Sequence, residues 1–442
     1  MDHLLAARSQ MAMSLGFHIV FAAIGMAMPL LMAIAEGLWL FTGEPVYRVL
    51  AKRWAKGTAM LFAVGAVSGT VLSFELGLLW PGFMRFAGPI IGMPFSLEGF
   101  AFFLEAIFLG IYVYGWDRVP RLTHWLAGVG VLLSGLASGA FVLCANGWMN
   151  TPAGYTLDAN GALLAVDPFA AMFNPSAFAE GLHMTSAAFL AVGMLVAGIH
   201  AYALRHEPNN LFHRRALAIA LTVGGLAALV QPATGHVAAE TVARNQPVKL
   251  AAMEAAWETE RGAPFRIGGI PDAAAEVTSW AIEVPGLLSF LAYGDVDAEV
   301  KGLKAFPKAD RPPVSVVHYA FQVMLASGAI TAGVAGIGLL LAIRRRAVPT
   351  DRWFLGLLVL QAPAGLIGIE AGWVVTEVGR QPWVIQGVMR TADAVTPTPG
   401  LEVHFLAFSL LYLLLGLVVV GLMRRIVAHA PHLDADGREV AP

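Results

Sequence analysis

Four side chains able to hold a metal or cofactor fall inside or at the ends of long apolar runs in this sequence: His18, His183, Met324 and Glu377. The single cysteine, Cys144, sits alone in an apolar stretch, which excludes an intrachain disulfide framework and a thiolate metal cluster. Any cofactor must then be held by His, Met or carboxylate. Carboxylates also recur in pairs. Glu98 and Glu105, in SLEGFAFFLEAIF, are seven apart, which places both on one helical face about 10.5 Å apart along the axis. Glu370, Trp373 and Glu377, in IGIEAGWVVTEVGR, form a second stripe at offsets 0, 3 and 7. Acids at this spacing in an apolar setting are what a proton relay needs. Each feature also has a plainer reading: a histidine hydrogen-bonded in a core, a methionine used for packing, carboxyls that bond neighbouring helices.

The elements that must position these groups are membrane helices. Of the 442 residues, 57% are hydrophobic before the 47 glycines are counted, and 13% are charged. A soluble protein carries about 45–50% apolar residues with Gly included and about 25% charged. The composition therefore predicts an all-α polytopic membrane protein. A net charge of −2 removes any electrostatic case for nucleic acid as a partner. A bilayer-crossing helix needs about 20 mostly apolar residues, and nine stretches qualify: 13–40, 57–79, 96–114, 125–145, 182–204, 215–234, 314–343, 354–377 and 402–423. The first lacks the basic start and cleavage site of a signal peptide and is expected to stay in the mature protein.

Nine spans place the termini on opposite sides, and the basic residues choose which. With the N-terminus outside and the C-terminus cytoplasmic, sixteen Lys and Arg fall in the cytoplasmic segments and four (Arg8, Arg85, Arg380, Arg390) in the short outer ones. In that orientation His18, His183, Met324 and Glu377 come from four helices and all lie in the outer half of the bilayer. The chain then divides into helices one to six (1–234), an outer loop (235–313), and helices seven to nine with a short cytoplasmic tail (314–442). The loop carries the helix-like stretch VKLAAMEAAWETE (248–260) and two tryptophans, Trp257 and Trp280, which favour an ordered, functional loop. No internal repeat is visible, which counts against an inverted-repeat transporter.

Read together, RSQMAMSLGFH (8–18), SFELGLLW (73–80), LEGFAFFLEA (97–106), YGWDR (114–118), ANGWM (145–149), NPSAFAEGLH (174–183), KLAAMEAAWETE (249–260), AFQVM (320–324) and EAGWVVTEVGRQPW (370–383) closely resemble subunit I of bd-type quinol oxidases over essentially the whole chain. The resemblance implies the haem-bearing subunit of a respiratory terminal oxidase in the bacterial cytoplasmic (inner) membrane. Such an enzyme oxidises quinol at the outer face and reduces O2 to water with cytoplasmic protons, generating a proton motive force without pumping. It implies His183 and Met324 as the axial pair of a low-spin b haem, a pairing that raises a haem's reduction potential. It implies His18 and Glu377 as the single protein ligands of two high-spin haems, one a b haem and one a d or b haem, without saying which ligand serves which. Trp373 would stand between haems, Arg380 would offset propionate charge, Glu98 and Glu105 would carry protons with Glu370 nearby, and Lys249 and Glu254 would contact quinol. A second membrane subunit, subunit II, and small single-span subunits are the partners implied.

Two departures from the family pattern stand out. Gln322 occupies a position, two residues before Met324, where other members often carry Arg, so another residue must balance the local charge. The acid of SFELG, Glu75, lies one position later than in the better-known EFQFG form. One residue is 100° of helix rotation, so Glu75 does not inherit that acid's role. Both features, with the short loop, resemble the cyanide-insensitive branch, in which a b haem can replace the d haem. The rival readings are a proton-coupled transporter without a redox centre, which predicts a colourless protein, and a b-type cytochrome that only relays electrons.

Overall fold

The computed structural model describes residues 2–161 and 163–428, with the backbone of 432–433 and 439–440; Arg438, counted above with the cytoplasmic tail, lies outside the described residues. The helices are α1 (His3–Thr42), α2 (Pro45–Leu79), α3 (Pro81–Tyr114), α4 (Arg121–Asn150), α5 (Pro168–Met172), α6 (Ala177–His206) and α7 (Leu211–Asn245). They continue as α8 (Pro247–Met253), α9 (Leu287–Tyr293), α10 (Val314–Arg345), α11 (Arg352–Gln361), α12 (Ala364–Val378), α13 (Thr391–Ala394) and α14 (Leu401–Ala428). Among the described residues nine helices are long and apolar enough to cross a membrane, with α11 and α12 together forming the eighth. These are the nine spans the composition predicts.

The helices outrun the apolar stretches. At 40 residues α1 is about 60 Å long, twice the roughly 30 Å hydrocarbon layer, so its ends extend beyond it. The sixth span does not stop at 234: α7 carries Pro232 in its interior and runs on to Asn245. Its polar last turns carry the i,i+4 neighbours His236–Glu240 and Arg244–Glu240, each at 3.6 Å. The chain leaves α7 at Gln246 and enters α8 at Pro247. The eighth span breaks at Ala362–Pro363, where proline removes an N–H and its ring clashes with the preceding turn.

α1 and α6 are the most enclosed spans, while α2, α3 and α14 turn broad apolar faces outward. α1 packs on α2, α4, α6 and α14; α6 packs on α7, α11 and α12; α10 packs on α7 and α12. Small residues permit the closest approach. A Cβ added at Gly193 of α6 would lie 2.8 Å from the backbone nitrogen of Gly224 in α7. Backbone cannot yield as a flexible side chain can, so this crossing tolerates no larger residue. One end of the bundle, where α1, α6, α10 and α14 begin and α4, α7 and α12 end, is covered by the long loop. We refer to it as the loop end.

The contact at Gly193 has a measurable consequence. Gly193→Ala is expected to lose stability at the top of the usual overpacking range, about 3 kcal/mol, in thermal unfolding of the detergent-solubilised protein. Gly333→Ala in α10, where an added Cβ meets open space, is expected to leave the unfolding midpoint unchanged or slightly raised.

Candidate functional site

The ligand-type residues share two structural features. His18, His183, Met324 and Glu377 are each partly exposed, neither sealed in the core nor fully on the surface. Three of them also face a glycine. A Cβ at Gly69 would come within 2.9 Å of His18 Cε1, one at Gly235 within 3.4 Å of His183 Cε1, and one at Gly372 within 3.2 Å of Met324 Sδ. The histidines are oriented as metal ligands require. His18 Nδ1 bonds Ser68 Oγ at 2.9 Å, and when that hydroxyl turns its one hydrogen to the carbonyl of Val64 or Gly65 it accepts from His18, which leaves the Nε2 lone pair for a metal. His183 Nδ1 lies 3.3 Å from Thr234 Oγ1, which can accept its hydrogen, and 3.2 Å from Gln231 Nε2, a donor that competes for the same nitrogen, while Nε2 stays out of both contacts. A metal-bound imidazole donates through its other nitrogen, as His18 can to Ser68 and His183 to Thr234. Trp373 packs in the cluster that contains Ile19 and Met184, the sequence neighbours of His18 and His183. These residues fit haem.

At the loop end a buried polar cluster joins four elements. Asn150, the last residue of α4, accepts Lys249 Nζ of α8 at 2.9 Å, Gln246 Nε2 at 3.2 Å and an Arg380 guanidinium nitrogen at 3.4 Å on its side-chain oxygen. Its amide donates to Glu180 Oε1, in the first turn of α6, at 3.0 Å. Arg380 also pairs with Glu377 Oε2 at 2.5 Å, and the other oxygen of Glu377 accepts Asn146 Nδ2 at 2.6 Å. The Lys249 stem lies against Gly379, where a Cβ would approach its Cγ to 2.9 Å. Burial, aided by the charge of Arg380, pulls the Lys249 ammonium below the usual lysine range, against the opposing pull of Glu180 and Glu377. The structure thus brings three expected site residues, Lys249, Glu377 and Arg380, into one network.

The loop is ordered, but not as the helix its composition suggests over 248–260. α8 ends at Met253, and Ala255 adopts a left-handed φ of 48°. Tertiary bonds draw the chain away: Glu254 Oε2 accepts the Arg266 N–H at 3.1 Å and the Trp257 indole donates to Thr278 Oγ1 at 3.0 Å. Of the two loop tryptophans, Trp257 is buried and Trp280 is 88% exposed. Strands Phe265–Asp272 and Val277–Val284 form an antiparallel hairpin. Gln322 of α10 clasps it, donating to Arg266 O and accepting from Gly268 N, both at 2.9 Å, while His318 one turn earlier bonds Gly268 O at 3.0 Å. Gln322 therefore serves as a tether between α10 and the hairpin. Glu254 is buried, and that burial, opposed by the Arg266 N–H, raises its pKa to about 7.

The acid pairs stand apart from this cluster. Glu98 Oε1 accepts Ser138 Oγ of α4 at 3.1 Å, and Glu105 lies against Gly135 of the same helix, where a Cβ would be 3.3 Å from its carboxyl. Both face α4, as their spacing predicts. Glu370 points at α1, with Oε2 3.3 Å from a Cβ built on Gly16. Glu75 is buried and accepts Gln10 Nε2 and Ser14 Oγ, each at 2.9 Å.

A model of the family described as cytochrome bd terminal oxidase subunit I matches residues 6–431. The chain belongs to that family. It is a subunit of a quinol:O2 oxidoreductase, a multi-span membrane enzyme of respiration whose family carries haem. It is 40% identical over 427 residues to a putative cytochrome bd menaquinol oxidase subunit I of Bacillus subtilis (strain 168), covering 95% of each chain. It is 30% identical over 492 residues to the cytochrome bd-II ubiquinol oxidase subunit 1 of Escherichia coli (strain K12), covering 95% of this chain and 94% of that one. The solved bd oxidase of Geobacillus thermodenitrificans superposes with a TM-score of 0.92 at 36% identity, covering 97% of this chain and 99% of that one. For the bd subunit, sequence reasoning did not single out Asn146, Asn150, Glu180 and Gln246. Asn146 lies in ANGWM and Glu180 in NPSAFAEGLH, but nothing in either motif shows that they meet.

Asn150 is the centre of that cluster, so Asn150→Leu strands Lys249 and Glu180 together. The expected loss is about 3 kcal/mol, the scale for breaking a buried charged network. Thermal unfolding of the purified complex measures it, and an unchanged midpoint contradicts the central role of Asn150.

Proposed function

We propose that this chain is the catalytic subunit that oxidises quinol at the outer membrane face and reduces O2 to water with protons taken from the cytoplasm. The loop end then faces outward in the cytoplasmic (inner) membrane, and subunit II, with small single-span subunits, covers part of the apolar faces of α2, α3 and α14. The observation that carries the reading is the network around Asn150. It links Lys249, the expected quinol contact, to Arg380 and through it to Glu377, an expected haem ligand. His183 and Met324 would hold the low-spin b haem, and His18 and Glu377 the two high-spin haems, one b and one d or b. When bound, the haems supply electron transfer and the reduction of O2.

The chain's own residues do the rest. Lys249, buried with a weakened hold on its proton, donates a hydrogen bond to the quinol oxygen. Glu254, close to half ionised at neutral pH, takes the proton that quinol releases and passes it to the outer side. Arg380 pairs with Glu377 and would offset the charge of a haem propionate. Trp373 fills the space beside the sites of His18 and His183. Protons for O2 come from the opposite side through Glu105 and then Glu98, with Glu370 beside α1. Because quinol protons leave outward and consumed protons enter from the cytoplasm, charge separates without a pump.

Glu254 sets the pH dependence. A carboxyl with a pKa of about 7 accepts a proton only when ionised, so quinol oxidation should rise with pH through 7 and fall about tenfold per unit below it. Glu254→Gln is expected to lower quinol-driven O2 consumption at least about a hundredfold and to remove this limb. Steady-state rates of the purified complex from pH 5 to 8.5 test both statements. A variant with the unaltered rate and profile contradicts the role of Glu254.

A further inference from the structure

The proton route described above begins in mid-membrane at Glu105 and leaves open how a proton reaches it. At the end of the bundle opposite the loop, where α1 and α3 finish and α4 starts, Glu36 and His124 form a fully enclosed pair. Their side chains are 0% and 3% exposed, and His124 Nδ1 lies 2.7 Å from Glu36 Oε1. The other ring nitrogen, Nε2, is 2.9 Å from the Tyr112 carbonyl, which can only accept, so Nε2 carries a hydrogen. One further proton lies between Nδ1 and Glu36. Glu36 Oε2 is buried with no hydrogen-bond partner among the described residues. The Tyr112 side chain stands beside the same carboxyl, and an unengaged buried oxygen, as on Glu75, Glu180 and Glu370, can take up a proton.

The pair continues the line of the acids proposed above. Glu98, Glu105 and Tyr112 follow one another at seven-residue intervals on α3, facing α4 at Ser138, Gly135 and Gly128. On α1, Gly25 lies beside Glu105, and Glu36 is eleven residues further on, about 16 Å along the axis. Tyr112 stacks on His124 with centroids 4.7 Å apart, and Trp116 covers the imidazole at 4.0 Å. Arg48 and Lys52 of α2 stand over Trp116 at 5.6 and 5.2 Å, and Asp117 pairs with Arg48.

We propose that Glu36 and His124 form the proton-loading site at the cytoplasmic mouth of the Glu105–Glu98 route, closed from the loop water by Trp116. At rest the pair holds one exchangeable proton. A proton arriving at Glu36 Oε2 gives imidazolium beside neutral carboxyl, and release toward Glu105 through intervening water restores the resting pair; no electron moves. The inference rests on the orientation and function proposed above.

The test uses the purified, haem-loaded complex, comparing Glu36→Gln and Glu36→Asp with the parent in H2O and D2O. Glu36→Gln should keep the reduced-minus-oxidised spectrum, cut quinol-driven O2 consumption about a hundredfold and raise the solvent isotope effect, and Glu36→Asp should recover much of the rate. Unchanged turnover in Glu36→Gln overturns the proposal, as does a loss of rate with an unaltered isotope effect and no recovery in Glu36→Asp. Should Glu36→Gln not assemble, His124→Gln and Glu36→Asp decide by the same measures, and parental turnover in both overturns it. A parent protein without haem or without quinol oxidation would instead overturn the functional reading.

Discussion

An ionised group inside an apolar bundle persists only where an opposite charge or a hydrogen bond meets it, and the arrangement of this subunit follows from that constraint. The two acids and two bases at the loop end, Glu180, Glu377, Lys249 and Arg380, are gathered on the side chains of Asn150 and Asn146. To bring them together, α4, α6, α8 and α12 must end or begin at one level. Once those ends converge, Lys249 cannot shift without disturbing Arg380, and Arg380 cannot shift without disturbing Glu377. An expected quinol contact and an expected haem ligand are thereby held in a fixed relation by a network that spans only a few hydrogen bonds.

The same constraint separates the chemistry in space. The groups proposed to exchange protons with quinol belong to the loop and its helix-end cluster, whereas Glu98 and Glu105 face α4 deeper in the bundle. The loop earns its order from the bundle: Gln322 and His318 on one face of α10 hold the hairpin, and Glu254 ties α8 to the same strand. Gln322, where the family resemblance leads one to expect a guanidinium, is an amide that bonds backbone and so supplies a mechanical link to the hairpin.

Much of the fold was legible because apolar length is a strong signal, and all nine spans were found. The misreadings have physical causes. Pro232 and the polar run after 234 look like a helix end, yet α7 runs on to Asn245, with Arg244 paired to Glu240 in its last turns. KLAAMEAAWETE is rich in helix formers, but the bonds of Glu254 and Trp257 outweigh propensity and end α8 at Met253. Of the site, His18, His183, Met324 and Glu377 stood out through the motifs that carry the family resemblance, since methionine and histidine also recur elsewhere in the spans, at Met26, Met28, Met194 and His200. Asn146, Asn150 and Glu180 did not, since polar residues near helix ends are ordinary until tertiary structure shows that they meet. Glu36 and His124, 88 residues apart, are a pair only in three dimensions.

The central claim is that these side chains hold haem, with His183 and Met324 on the low-spin group. The reduced-minus-oxidised absorption spectrum of the purified protein, recorded for the parent and for Met324→Leu, tests it most directly. The account predicts a low-spin b-type signal in the parent that is lost or converted to high-spin in the variant, with the remaining haem signals kept. A colourless parent, or a variant with an unaltered low-spin signal, would contradict it.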